Sequence, residues 1–303
     1  MEDQRVQGSQ QAGPQQPAAT DEAPAGTAVV DGSPGAGSAG LPPPSYVYAI
    51  GRVEPRFPSL AVEKEFAQVI GRADTAGLTD REALQRTLGD GANRYLARRL
   101  CWILLVENLE TYVLMPRDPA DLDLLIDAVR AEPGGEDIDV VVGQRGPIAP
   151  PQLCGGLAVP LVAFEQLWSF PREALLAAIP RPKGSKEDAK RFETIAAELF
   201  DRVMQLADNA GATDEHRAVN YLAVRYPAIY ARTAEAYAGN ASLSSVDVHP
   251  SRLAGVRNIV DVVFSYTHRQ TDVTERFFVR VDVTEEKSFP SECSRSGFIG
   301  FSG

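Results

Sequence analysis

Two short apolar runs, Leu100 to Val106 and Thr111 to Met115, are separated only by Glu107-Asn108-Leu109-Glu110. That spacing predicts a β-hairpin, and the lack of polar alternation within either run predicts strands buried on both faces. A sheet covered on both sides must be wrapped by other elements of the same chain, so this pair constrains the fold more than any other feature.

The surrounding segments supply candidates for that wrapping. Tyr46 to Val53 reads as a strand, broken by Pro55 and Pro58, after which Val62, Phe66, Val69, Ile70 and Ala73 recur at helical spacing. Thr79 or Asp80 is a cap for a second helix through about Leu88. Asp118-Pro119 is a helix-start signature ahead of a stripe of Leu122, Leu125, Ile126 and Val129, and Pro133-Gly134-Gly135 should end that helix. Ile138 to Val142 and Leu157 to Phe164 read as buried strands across a Pro- and Gly-rich loop, Gly146 to Gly156, with a short helix near Glu173 to Ile179. Pro180 to Lys186 is polar and basic and reads as a boundary.

A helical stretch follows. Phe192, Ile195, Leu199, Val203 and Leu206 form the inner face of a long helix, Thr213 starts a second, and Tyr226-Pro227 breaks it and begins a third carrying Ile229, Tyr230, Thr233 and Tyr237. Three strands close the sequence, Leu243 to Val248, Val256 to Tyr266 and Arg276 to Val283, the last two pairing around His268 to Asp272. Phe277, Val279, Val281 and Val283 alternate with Phe278, Arg280, Asp282 and Thr284, which gives the final strand one inner face. Because helices and strands come in runs, the fold class is α+β: a mixed N-terminal domain with a covered sheet, a helical segment, then an antiparallel meander.

Composition divides the 303 residues further. Residues 1–45 have no aromatic side chain, five acids and one base, and read as a disordered tail. The expected parts are then 46–180, 186–286 and a divergent tail, 287–303. The formal charge of −11 argues against nucleic-acid or anionic-membrane binding. No apolar run is long enough to span a bilayer, and MEDQRVQGSQ lacks the features of a secretory signal. Three scattered cysteines do not form a disulfide framework, so the expectation is a cytoplasmic chain with reduced thiols.

Reaction signatures are sparse. The chain contains no G-x-S-x-G, H-E-x-x-H, Walker A or C-x-x-C, and the G-x-G-x-x-G at Gly35 to Gly40 runs into Pro42-Pro43-Pro44 where a helix would be needed. His249 and His268 read as loop histidines. His216 lies in the first turn of a helix beside Glu215 and near Asp208, so with Cys154 and Cys101 it is a candidate metal ligand. Cys101 reads equally as a small buried apolar residue, and Cys154 with His216 and Asp214 or Asn220 would be the members of a cysteine-nucleophile site. Arg94, Arg98 and Arg99 are either an anion patch or a solvated helical face.

Four longer motifs carry a family likeness. Tyr46 to Phe66 (YVYAIGRVEPRFP into AVEKEF), Arg145 to Pro151 (RGPIAPP), Ala207 to Tyr230 (ADNAGATDEHRAVNYLAVRYPAIY) and Thr271 to Glu286 (TDVTERFFVRVDVTEE) resemble the C-terminal region of PatG-type cyanobactin maturation proteins. The likeness spans Tyr46 to Glu286, without the protease that precedes this region in the family. It implies an accessory role in the biosynthesis of a ribosomally made, post-translationally modified peptide. The implied partners are modifying enzymes or a precursor peptide. The resemblance also implies zinc, which gives weight to Cys154 and His216 as ligands, and a homodimer.

The expectation is therefore a non-catalytic accessory or scaffold protein. One alternative is a metal- or cysteine-dependent enzyme acting on that peptide. The other is a folded carrier whose own tail is the substrate, with Ser291, Cys293, Ser294 and Ser296 as the residues to be modified.

Overall fold

The computed structural model describes residues 45–71, 77–131, 137–181, 189–206, 208–252, 255–290 and 298–299, all within one compact unit, Pro43–Gly303. The expected tail at 1–45, the expected boundary at 180–186 and the candidate residues Ser291, Cys293, Ser294 and Ser296 fall wholly or mostly outside these residues.

The hairpin forms as expected but turns more tightly. Strands β2 (Cys101–Val106) and β3 (Leu109–Pro116) are joined by Glu107 and Asn108 alone, and both have positive φ, 50° and 65°. A two-residue turn of that kind matches the natural twist of its strands. Around the hairpin, β1 (Ser45–Arg56), β4 (Asp137–Ile148) and β5 (Pro160–Pro171) close a five-stranded barrel in the order β1-β2-β3-β5-β4. All neighbours are antiparallel except β3 and β5. This is the strand order of an OB-type Greek-key barrel.

Side-chain alternation places three apolar clusters around this barrel. Val47, Ala49, Trp102, Leu104, Tyr112, Leu114, Val141 and Phe164 belong to one of them, which fills the interior. Ile103 and Val113 point the other way and are covered by Ala149, Leu153, Cys154 and Leu157, contributed by the β4–β5 loop. The expected double covering is thus achieved by a loop on one face and by the barrel's own interior on the other. The outer residues of β1 and β4, namely Tyr48, Ile50, Ile138, Val140 and Val142, join the third and largest cluster.

The helices and second sheet complete that cluster. Helices α1 (Leu60–Ile70), α2 (Asp80–Gly89) and α3 (Arg94–Ala97) lie between β1 and β2, with Ser59 and Thr79 as N-caps, Thr79 in a full capping box with Glu82. Asp118 caps the turn that leads into α4 (Leu122–Ala128). Helix α5 (Arg172–Ala178) follows β5. Helices α6 (Ala189–Met204), α7 (Asp214–Arg225) and α8 (Ala228–Ala238) pack Phe192, Leu199, Val219, Leu222 and Tyr230 against Val262, Phe264, Val279 and Val281. Those last residues belong to an antiparallel meander of β6 (Ala241–Pro250), β7 (Ile259–His268) and β8 (Thr274–Asp282), with two-residue strands β9 (Phe289–Pro290) and β10 (Phe298–Ile299) on β8. The molecule is α+β, as expected.

Several boundaries differ from the sequence reading. Strand β1 is not broken by Pro55 but runs through it to Arg56, with Pro55 opposite Trp102 of β2. The helix expected to run to Pro133 ends at Ala128, where Val129 turns to extended backbone and buries its side chain. Strands β4 and β5 are each 12 residues, longer than their apolar runs, because they pair with each other beyond the buried stretch and absorb two register shifts. Val256, expected in a strand, is fully exposed, and β7 begins at Ile259.

Candidate functional site

Over Ser45–Gly51 strand β1 pairs with β4, whereas its pairing with β2 begins only at Arg52. One edge of the strand is therefore open beside Tyr48, and an open edge needs cover. The segment before α7 supplies it. The Tyr48 N–H donates to the Gly211 carbonyl at 2.9 Å, and Asn220 Nδ2 donates to the Tyr48 carbonyl at 2.9 Å. Asn220 and Asn209, both buried, also exchange side-chain hydrogen bonds of 2.7 and 3.1 Å. Tyr112 Oη donates to the Ala210 carbonyl at 2.9 Å. Gly211 sits at φ +71°, and a Cβ there would lie 2.3 Å from the Tyr48 carbonyl oxygen, so the close approach requires glycine.

This docking sets the position of α7. Arg217, 2% exposed, donates to the Glu285 carbonyl at 3.1 Å, pairs with Asp214 at 3.4 Å and lies over the Tyr46 ring at 5.5 Å. It thereby ties the start of β1 to the chain that follows β8. Glu286, next in line, pairs with Arg117 at 3.1 Å. Three of the four sequence motifs meet here.

A cavity of about 320 Å³ opens where they meet, lined by Tyr48, Val142, Gln166, Trp168, Tyr221, Arg225, Lys287 and Ser288. Tyr221 stands edge-on to Tyr48, with ring centroids 6.2 Å apart. The Arg225 guanidinium lies over the Trp168 ring at 4.2 Å, a cation–π contact. Tyr48 is 3% and Ser288 5% exposed; the Tyr48 hydroxyl lies against the Arg225 guanidinium, and the Ser288 hydroxyl has no hydrogen-bond partner among the described residues. A buried hydroxyl left unsatisfied costs about 1–3 kcal/mol, so the Ser288 hydroxyl is placed to hydrogen-bond whatever occupies the cavity, water or ligand. Burial pushes the Tyr48 hydroxyl well above the ordinary tyrosine range, opposed by Arg225, and burial raises Tyr221 as well. Both stay protonated at neutral pH. Lys287 is paired with Glu165 at 3.5 Å, whereas Arg225 has no carboxylate partner among the described residues.

The candidate ligand residues take other places. Cys101 and Cys154 form a disulfide that ties the start of β2 to the β4–β5 loop, and both are buried. This corrects the expectation of unpaired, reduced thiols: neither sulfur in this state is a thiolate for a metal or for nucleophilic attack. His216 lies on α7, where its backbone N–H is capped by Thr213 Oγ1 at 3.2 Å. Burial holds it below its ordinary value, against the upward pull of Glu215 and Asp208. Asn220, the other proposed partner, is taken up in docking β1. Among the described residues no group of three His, Cys, Asp or Glu is placed to hold a metal, so the disulfide-bonded pair and His216 do not fit the implied zinc.

Among the arginines, Arg94 pairs with Asp123 and Arg99 with Glu65, which disposes of a three-arginine anion patch. His249 is exposed on β6, and His268 Nδ1 accepts from the turn N–H groups of Gln270 and Thr271 at 3.3 Å, so both are loop or edge histidines as expected. Among the described residues no helix is long and apolar enough to cross a membrane.

Residues 186–295 match the family described as PatG C-terminal. The chain carries a PatG C-terminal-type domain. The match runs past Glu286, where the motif likeness stops, and it contains Tyr221, Arg225, Lys287 and Ser288 of the cavity. A solved structure, "PatG Domain of Unknown Function", superposes with a TM-score of 0.68 at 19% identity, covering 84% of this chain and 99% of that one. The likeness of fold therefore extends well beyond the matched region. Comparison with curated proteins finds no match.

Proposed function

We propose that this protein is a non-catalytic accessory component in the maturation of a ribosomally made, post-translationally modified peptide, and that it holds a peptide segment in the Tyr48–Trp168–Arg225 cavity. The relation to PatG supports the pathway class. The observation that carries the binding role is the cavity lining: three aromatic rings, a guanidinium over one of them and two buried hydroxyls beside about 320 Å³ of space. Such a set of fixed donors on apolar walls orients a ligand. Of the described lining residues, Lys287 is held as a cation partner of Glu165 rather than as a base for Ser288, which favours holding over turnover.

The chain has two tryptophans, and Trp102 is buried in the barrel, so Trp168 fluorescence reports on the cavity. Linear precursor-type peptides titrated into the full chain should change that emission saturably and leave with unchanged mass. A peptide mass change that the protein produces alone and loses in Arg225→Ala would overturn the non-catalytic reading. Absence of saturable binding by every such peptide would overturn the binding role.

A further inference from the structure

We infer that the Tyr48–Trp168–Arg225–Ser288 cavity recognises the free carboxylate at the C-terminus of a peptide. This rests on the peptide-holding reading and names the group it would hold.

Charge selects an anion. Arg225 and Lys287 are the charged lining residues, and no carboxylate lines the cavity among the described residues. Lys287 is already engaged by Glu165, so one guanidinium without a counter-ion remains. One positive charge without a counter-ion balances a monoanion fully and a phosphate dianion only in part.

Geometry selects a carboxylate. The Arg225 guanidinium lies 4.2 Å from the Trp168 ring centroid and has no carboxylate partner among the described residues, and the planar fork of a guanidinium matches both oxygens of a carboxylate. The buried Tyr48 hydroxyl lies against Arg225, stays protonated and supplies a further O–H beside the guanidinium. Ser288, at the opposite end of the sequence, supplies another. A carboxylate alone would fill only a fraction of about 320 Å³, and the remaining walls are Val142, Trp168 and Tyr221 with one amide, Gln166. They fit the last side chain of a peptide.

The test uses the full chain with N-acetyl-phenylalanine, its C-terminal amide, an amidated peptide with one internal aspartate, and inorganic phosphate, read by Trp168 emission and calorimetry. The acid should bind roughly ten-fold or more tightly than the amide, the worth of a charge-assisted hydrogen-bonded pair. Arg225→Gln should erase the difference, and Tyr48→Phe should weaken the acid several-fold while leaving the affinity for the amide unchanged. Equal affinity for acid and amide, an acid preference that survives Arg225→Gln, or stronger binding of phosphate or the internal aspartate would each overturn the inference. Precursor-type peptides that bind as well amidated as free would sink the carboxylate and leave the peptide-holding role standing. An acid preference with no precursor-type peptide bound would do the reverse.

Discussion

Replacing Gly211 by alanine should cost far more than an exposed loop substitution, and the structure says why. Alanine at φ +71° carries a left-handed backbone penalty of about 1–2 kcal/mol. Its Cβ would also meet the Tyr48 carbonyl oxygen at 2.3 Å, the Tyr48 carbonyl carbon at 2.7 Å and Ala49 Cα at 2.6 Å. These are backbone atoms of a barrel strand, which no rotamer change can move. The loop must lift instead, breaking the Tyr48 N–H to Gly211 and Tyr112 Oη to Ala210 hydrogen bonds, worth about 1 kcal/mol each. The total is about 2–5 kcal/mol. For a chain of this length the thermal midpoint should fall on the order of 10 °C, read by differential scanning fluorimetry and checked by urea titration. Gly211→Asn separates the two contributions: asparagine tolerates positive φ but keeps the Cβ, so it should recover little. A Gly211→Ala midpoint within roughly 2 °C of the parent, or full recovery with asparagine, would refute the close-approach argument.

Two further outcomes follow from residues away from the cavity. With Cys101 and Cys154 joined across a separation of 53 residues, a non-reducing preparation should titrate one thiol rather than three, and reduction should remove about 4 kcal/mol of unfolded-state constraint; three thiols in the native chain would contradict the pairing. His216 has its folded value lowered by burial, so the unfolded chain takes up its proton first as pH falls. Its contribution is fully present above the ordinary value of about 6.5 and is lost as pH falls from there through the lowered folded value. Urea unfolding of wild type should therefore show a decline over that range that is shallower in His216→Gln; identical slopes would remove the basis for it.

Much of the fold was legible because apolar runs and caps are local signals. Thr79, Asp118 and Thr213 each cap the turn they precede, and Tyr226-Pro227 divides α7 from α8. Barrel closure was not legible, because it depends on pairing between β1 and β4 and a parallel contact between β3 and β5, residues far apart in sequence with no local mark of partnership. The disulfide escaped for the same reason. Cysteine spacing says nothing of the loop that folds Cys154 back over β2, and composition favoured reading both cysteines as unpaired.

The cavity shows how a site can lie inside recognised motifs and still go unread. Tyr48, Tyr221 and Arg225 all fall within the segments that carry the family likeness, but each looks like ordinary patterning: an aromatic in an apolar strand, and two residues four apart on a helix. Trp168 and Gln166 lie beyond the apolar run from which β5 was read, and Ser288 lies in what read as a tail. What makes them a site is the open edge of β1. Since β2 leaves Tyr48 unpaired on that side, Gly211 and Asn220 must cover it, and covering it sets α7 against β1 with Tyr221 and Arg225 beside Tyr48. The same backbone requirement that completes the barrel therefore places the guanidinium over Trp168 and buries the Tyr48 hydroxyl beside it. Fold and site share one hydrogen-bonded joint, so substitutions at Gly211 or Asn220 should impair binding together with stability, whereas Arg225 and the Tyr48 hydroxyl, which make no bond in that joint, should separate the two.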